Sequence, residues 1–233
     1  MPRLGLGLLI LYAVALPLTA TAGAWKQPAG EGFAATSFTL RNLDSGLQGE
    51  LSYYRDYGLT PRFDLGFDFN QLDTQSGHAL VFLRLPLQQG ADTTQIAAGF
   101  ALGGSHFEGD WQPMYRLTLS AGRSFQTSVG SLWGSLDLIL EQRGSAASPI
   151  GKLDGSFGLD TGHRFSPLLQ IETAFGSDLD FSYAIIPSLR IKLNDLNFLG
   201  KQRFSNSDLT IGLEYRRTKT QSLGLKIAMW RRF

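Results

Sequence analysis

The feature that most constrains this chain is an alternation with a period of two. In a strand, residues i, i+2 and i+4 share one face, whereas a helix repeats near 3.6 residues. From Arg62 to Asn70, Phe63, Leu65, Phe67 and Phe69 fall on one face, and Arg62, Asp64, Gly66, Asp68 and Asn70 on the other. No helix separates them in this way. Further on, Ala79, Val81, Leu83, Leu85 and Leu87 oppose His78, Arg84 and Gln88, and Ile96, Ala98, Phe100 and Leu102 oppose Gln95, Gly99 and Gly103. Tyr115, Leu117 and Leu119 oppose Arg116, Thr118 and Ser120; Leu132, Leu136, Leu138 and Leu140 oppose Ser135, Asp137 and Glu141. The pattern continues with Leu153, Phe157 and Leu159 against Asp154, Ser156 and Asp160, and with Leu169, Ile171 and Phe175 against Gln170 and Glu172. Tyr183, Ile185, Leu189 and Ile191 oppose Ser182, Arg190 and Lys192; Leu209, Ile211, Leu213 and Tyr215 oppose Asp208, Thr210, Glu214 and Arg216. The last run sets Leu223, Leu225, Ile227, Met229 and Phe233 against Gly224, Lys226 and Ala228.

Two less regular segments, about Gly32–Leu40 and Leu47–Tyr57, bring the expected number to about twelve, each near the 9–11 residues that cross a bilayer at a tilt. Ten and fourteen are the neighbouring counts, because Asn194–Asn206 is long for a periplasmic turn and has room for another hairpin. Turn chemistry separates the runs at Asp44-Ser45-Gly46, Thr60-Pro61, Asp73–Gly77, Gly90-Ala91-Asp92 and Ser166-Pro167. A soluble barrel also alternates, but it buries its apolar face, and about eight strands already enclose one core. A dozen strands would enclose a space too wide for those side chains to fill. With the apolar face toward lipid, both the width and the charged, glycine-bearing other face are accounted for, since hydrocarbon demands a closed sheet without free edges. The expectation is an all-β, transmembrane antiparallel barrel.

The beginning of the chain reads as an export signal. Arg3 precedes an apolar run from Leu4 to about Leu18, followed by small residues at Ala20, Ala22 and Ala24. Residues 1–24 are therefore expected to be a signal peptide, cleaved after Ala22 or Ala24, and 25–233 one barrel domain. With no cysteine, the chain has neither disulfides nor the thiol on which a bacterial lipid anchor is built. A net charge of +1 provides no field to attract nucleic acid. An exported barrel of this kind belongs in the outer membrane of a Gram-negative bacterium, with outer-membrane lipid and the barrel-assembly machinery as partners. Phe233, aromatic at the end of an alternating strand, is the expected assembly signal. Arg231 departs from the apolar residue usual two places earlier.

The segment Trp25-Lys26-Gln27-Pro28-Ala29-Gly30-Glu31-Gly32, with Tyr57-Gly58-Leu59-Thr60 between two strands, resembles a family of small proteobacterial outer-membrane proteins. Their barrels open with a W-x-x-P-x-G-x-G segment and carry a Y-G-L-T turn. Members are mostly uncharacterised and are sometimes called transporter-like. The resemblance implies a location and no catalytic residues.

Candidate chemistry is sparse. A lipid hydrolase needs a Ser-His pair with an orienting polar group. His163 is expected at the periplasmic rim on the lipid face of the eighth strand, the wrong leaflet for such an enzyme. His106 to Asp110 reads as a long solvated extracellular loop, and His78 as a polar-face residue starting the fourth strand. No clustered ligands call for a metal, and no motif calls for a cofactor. The informative residues are the charges of the inner face: Asp64, Asp68, Arg84, Arg116, Asp137, Glu141, Glu172, Arg190, Lys192, Glu214, Arg216 and Lys226, with Asp154 and Asp160 beside them. They serve either a passive channel or transporter for a small hydrophilic solute, or a salt-bridge network bracing a structural or adhesion barrel. In a channel, one sign should stand unpaired at a constriction. In a brace, Arg84, Arg116, Arg190 and Lys192 should pair with Asp137, Glu172 and Glu214. On the lipid face, Leu138→Arg is expected to destabilise, while a polar substitution at Ser135 should be nearly silent.

Overall fold

The computed structural model describes residues 23–90, 93–144, 146–193 and 206–233. They form a closed antiparallel barrel of twelve strands: β1 (Gly32–Leu43), β2 (Gly46–Gly58), β3 (Asp64–Leu72), β4 (Ser76–Gln88), β5 (Gln95–Phe107), β6 (Asp110–Thr127), β7 (Gly130–Arg143), β8 (Ile150–Asp160), β9 (Phe165–Gly176), β10 (Leu179–Lys192), β11 (Ser207–Arg217) and β12 (Gln221–Arg232). Each strand pairs with its neighbours in sequence, and β12 returns to β1 with Phe33 opposite Arg232 and Asn42 opposite Leu223. Every strand thereby has two partners, so no row of backbone N–H and C=O groups is left at an edge. At the closing seam, Gly32 N donates to Phe233 O at 2.8 Å and Phe233 N to Gly32 O at 3.0 Å, while the Arg55 guanidinium lies 4.4 Å above the Phe233 ring.

The alternation places the two faces as expected. Leu65, Phe67 and Leu83 are exposed on the outer wall, as are Leu138 at 52% and Leu213 at 66%. Inside, Asp56, Asp64, Glu141 and Glu214 are fully or almost fully buried. The interior is not entirely polar. Trp25, Trp133 and Leu168 cluster with Ala24 and against Trp230, and Leu80, Ala101 and Met114 pack with Phe82. Two glycines make room for the inward rings: a methyl at Gly66 would collide with Phe82, and one at Gly158 with Trp133.

Several details differ from the sequence expectation. β1 and β2 are longer, meeting at a tight Asp44-Ser45 turn. Ser166-Pro167 is not a turn but lies in β9, where Pro167 faces Leu189 of β10 beyond the last β8–β9 pair, Gly158 with Leu168. The missing proline N–H is tolerated there because the ladder to β8 has ended. The long loop expected over His106–Asp110 is a two-residue hairpin turn at Glu108-Gly109, both with positive φ. His106 itself belongs to β5, with Nε2 2.9 Å from Gln71 Oε1 and its ring 4.7 Å from that of Trp111. His163 lies in the exposed turn after β8, outside the strand. The expected signal peptide, apart from Gly23 and Ala24, and the stretch from Asn194 to residue 205 lie outside the described residues.

One wall contact is made by side chains. Between the pairs Gly151–Phe175 and Gly155–Ile171 of β8 and β9, Thr173 Oγ1 accepts from Leu153 N and donates to Leu153 O, both at 2.8 Å. Asp154 Oδ1 accepts from Thr173 N at 2.9 Å.

Candidate functional site: the lumen

The inward charges assemble into four ion networks. Near the end of the barrel that holds both chain ends, Arg84 on β4 reaches Asp56 Oδ2 at 2.6 Å and Asp64 Oδ2 at 2.9 Å. Asp64 and Arg84 are direct cross-strand partners, so register alone brings them together. Arg84 Nη1 also donates to Tyr54 Oη at 3.2 Å, and Lys26 Nζ lies 3.1 Å from Asp64 Oδ1.

Further along the lumen, Arg116 and Glu141 are partners between β6 and β7, 2.8 Å apart. Arg116 also pairs with Asp68, His78 Nε2 lies 3.3 Å from Asp68 Oδ2, and Arg143 and Lys152 reach Glu141 at 3.0 and 2.9 Å. A third network joins Arg41 to Glu50 and Glu214, Arg216 to Glu172 at 2.6 Å and Glu214 at 3.2 Å, and Lys226 to Glu172 at 3.3 Å. The fourth holds Asp160 between Arg190 and Lys192, each 3.0 Å away. A charge taken out of water demands such partners, because breaking a buried pair strands the remaining ion.

These contacts correct the pairing expected from sequence. Arg84, Arg116, Arg190 and Lys192 are all paired, but with Asp56, Asp64, Asp68, Glu141 and Asp160. Glu172 and Glu214 are taken by Arg41, Arg216 and Lys226. Register explains the difference: the inter-strand partners sit on adjacent strands or on strands two or three apart around the curved wall, and spacing in sequence does not rank those. Ser135 faces inward, as expected, and is only 5% exposed, so a larger polar side chain would have to displace what covers it.

Among the twelve inner-face charges singled out in the sequence, Asp137 is the one without a cation within 4 Å among the described residues. Its Oδ1 is buried without a hydrogen-bond partner there. The parity of β1 and β2 also turns Arg41, Glu50, Tyr54 and Asp56 inward, residues readable from the alternation of Phe38 and Leu40 and of Leu51 and Tyr57.

The feature with no local sequence signal is the segment before β1. Gly23 to Gln27 enters the barrel rather than hanging below it. Ala24 is fully buried, and Trp25 sets its ring edge-on to Trp133 with centroids 6.4 Å apart. Arg84 Nη1 donates to Gly23 O at 3.0 Å, Gln89 Nε2 to Ala24 O at 3.1 Å, and Gln27 N to Asp64 Oδ2 at 3.3 Å. The segment returns to the wall where Gly30 N donates to Gly58 O and Gly58 N to Glu31 O.

Among the described residues, two cavities lie in the lumen. A vestibule of about 740 Å³ extends from the turn-side residues Leu43, Leu72, Thr218 and Thr220 down to Asp68, Arg116 and Glu141. Below it lies a chamber of about 290 Å³ walled by Phe33, Tyr54, Phe82, Trp133, Trp230 and, at the segment, Gly23. Asp68, Arg116 and Ile139 line both.

A closed antiparallel barrel of this strand number, with a polar charged lumen, is the fold of porin-type barrels. The NanC porin superposes with a TM-score of 0.60 at 10% identity, and the KdgM porin with 0.55 at 13%; each match covers 84% of this chain and 98% of the other. The COG4313 outer membrane channel from Pseudomonas putida F1 gives 0.54 at 11% identity, covering 92% of this chain and all of the other. No family model and no curated relative matches the chain.

Proposed function

We propose that the protein is an outer-membrane channel for small hydrophilic solutes, with the end carrying both termini toward the periplasm and the vestibule toward the outside. The observation that carries this reading is the vestibule of about 740 Å³, lined largely by charged and amide side chains and sharing Asp68, Arg116 and Ile139 with the chamber below. A barrel whose only role is structural has no use for a polar cavity of that size; eight strands would fill their interior with side chains. The apolar outer wall supports residence in lipid, since only closed barrels and helices satisfy their backbone there. The porin and channel names of the barrels it resembles agree with this reading. Phe233, bonded across the closing seam, is the residue proposed to be read by the barrel-assembly machinery.

The paired charges favour weak ion selectivity, because cations and carboxylates that largely offset one another present little net field to a passing ion. The buried Gly23–Gln27 segment favours a second reading, a barrel that is closed at rest. Planar-bilayer recording on the folded protein decides between them. Small, weakly selective steps are expected from the whole chain, and larger ones from a variant lacking residues 23–29. Silence from both, in protein verified as folded, rejects the channel and leaves the structural barrel.

A further inference from the structure

The sequence leaves two cleavage sites open, Ala20-Thr21-Ala22 and Ala22-Gly23-Ala24, since both satisfy the small-x-small rule. From the lumen we infer that the mature chain begins at Gly23 and that its new α-ammonium group is the counter-ion of Asp137, pinning the N-terminal segment inside the barrel.

Three observations meet at this point. A methyl placed on the Gly23 α-carbon would lie 2.7 Å from Asp137 Oδ1 and 3.1 Å from Oδ2, so the carboxylate stands directly against that carbon. The Gly23 nitrogen is one bond of about 1.5 Å from the same carbon, within the few ångströms at which opposite charges couple strongly in a partly buried site. Second, Asp137 Oδ1 is a buried carboxylate oxygen left without a hydrogen bond among the described residues. An amide nitrogen at Gly23 offers it no charge, whereas a freed α-ammonium carries one positive charge and additional donors.

The third observation is the local charge count. Around the segment stand Asp56, Asp64 and Asp137, with Asp154 the direct cross-strand partner of Asp137, against two cations, Arg84 and Lys26, whose ion-pair contacts here are all with Asp56 and Asp64. A free amino group at Gly23 supplies a cation at Asp137, a carboxylate that has none within ion-pair distance among the described residues. Cleavage after Ala24 does not: it removes the Gly23 carbonyl that accepts from Arg84 and the fully buried Ala24, and puts the new ammonium on Trp25, in the apolar cluster with Trp133 and Leu168. A charge there lacks the carboxylate that stands ready two residues earlier.

The first test is the intact mass of the protein purified from outer membranes after export with its own leader. A chain starting at Gly23 is expected, and one starting at Trp25 overturns the proposal. The second is a double-mutant cycle on refolded protein. In chains beginning at Gly23, Asp137→Asn should lower the melting temperature by several degrees and raise single-channel conductance or opening frequency. In chains carrying two extra glycines before Gly23, which keep an amide at that position, the same substitution should have little further effect on stability. Equal losses in both backgrounds would show that Asp137 acts without the α-amino group and would overturn the pairing. Mass and melting report on the terminus whether or not the barrel conducts, so a silent channel leaves this result readable.

Discussion

At the scale of single residues, position on the alternating wall decides what a substitution does. Arg84 is held by Asp56 and Asp64, both inaccessible to water. Arg84→Met keeps the bulk of the stem but strands the buried Asp56 and leaves Asp64 with Lys26 alone, and should destabilise by about 3–5 kcal/mol, read from denaturant unfolding in detergent micelles or bilayers. Neutralising Arg116 or Arg190 should likewise reduce stability more than it changes ion selectivity. On the outer wall, Leu138→Arg should cost about 2–4 kcal/mol if the residue lies near the bilayer midplane, because its 52% exposure is then to hydrocarbon. Ser135→Ala should be nearly silent, whereas Ser135→Gln should destabilise, since the longer side chain must displace the groups that bury this position.

Strand by strand, nearly all of the wall was legible in the sequence. Strand parity follows from covalent geometry, so Phe63 to Phe69 could only be read as one face. What the alternation does not encode is where pairing stops. Pro167 reads as a turn because proline usually ends a ladder, yet here it stands past the β8–β9 pairing and remains in β9. Glu108-Gly109 reads as part of a loop because polar residues and glycine are common to loops and tight turns alike. The ion partners of the lumen were hidden for a related reason: Arg116 meets Asp68 three strands away along the wall, and only the inward curvature of the sheet brings the side chains of β3 and β6 together. The Gly23–Gln27 segment was the least legible, as its buried position depends on a cavity that twelve other segments create. At the β8–β9 contact, Thr173 replaces backbone bonding with its hydroxyl. Thr173→Val keeps the shape and removes that bond, so hydrogen exchange at the Leu153 and Thr173 amides should accelerate while distant strands stay protected. Unchanged exchange there would mean that the hydroxyl contributes nothing to the seam.

For the whole molecule, the barrel is one cooperative ring whose closing joint is the β1–β12 ladder. Phe233 is bonded to Gly32 on both its N–H and its C=O, and Arg55 covers its ring. Deleting Phe233 should therefore lower the yield of heat-modifiable barrel in the outer membrane without lowering the amount exported. Undiminished barrel would remove Phe233 from the assembly step. The same joint has a consequence in time. Eleven of the twelve ladders link strands that are neighbours along the chain, and these can form soon after their residues arrive. The twelfth links residues at opposite ends of the barrel sequence and must wait for the last of them. Until it forms, β1 and β12 each present a bare row of amides and carbonyls, the condition in which strands recruit other strands and clump. The chain thus passes through its most hazardous state just before completion, and a factor that shields both free strands together would be most valuable at that moment.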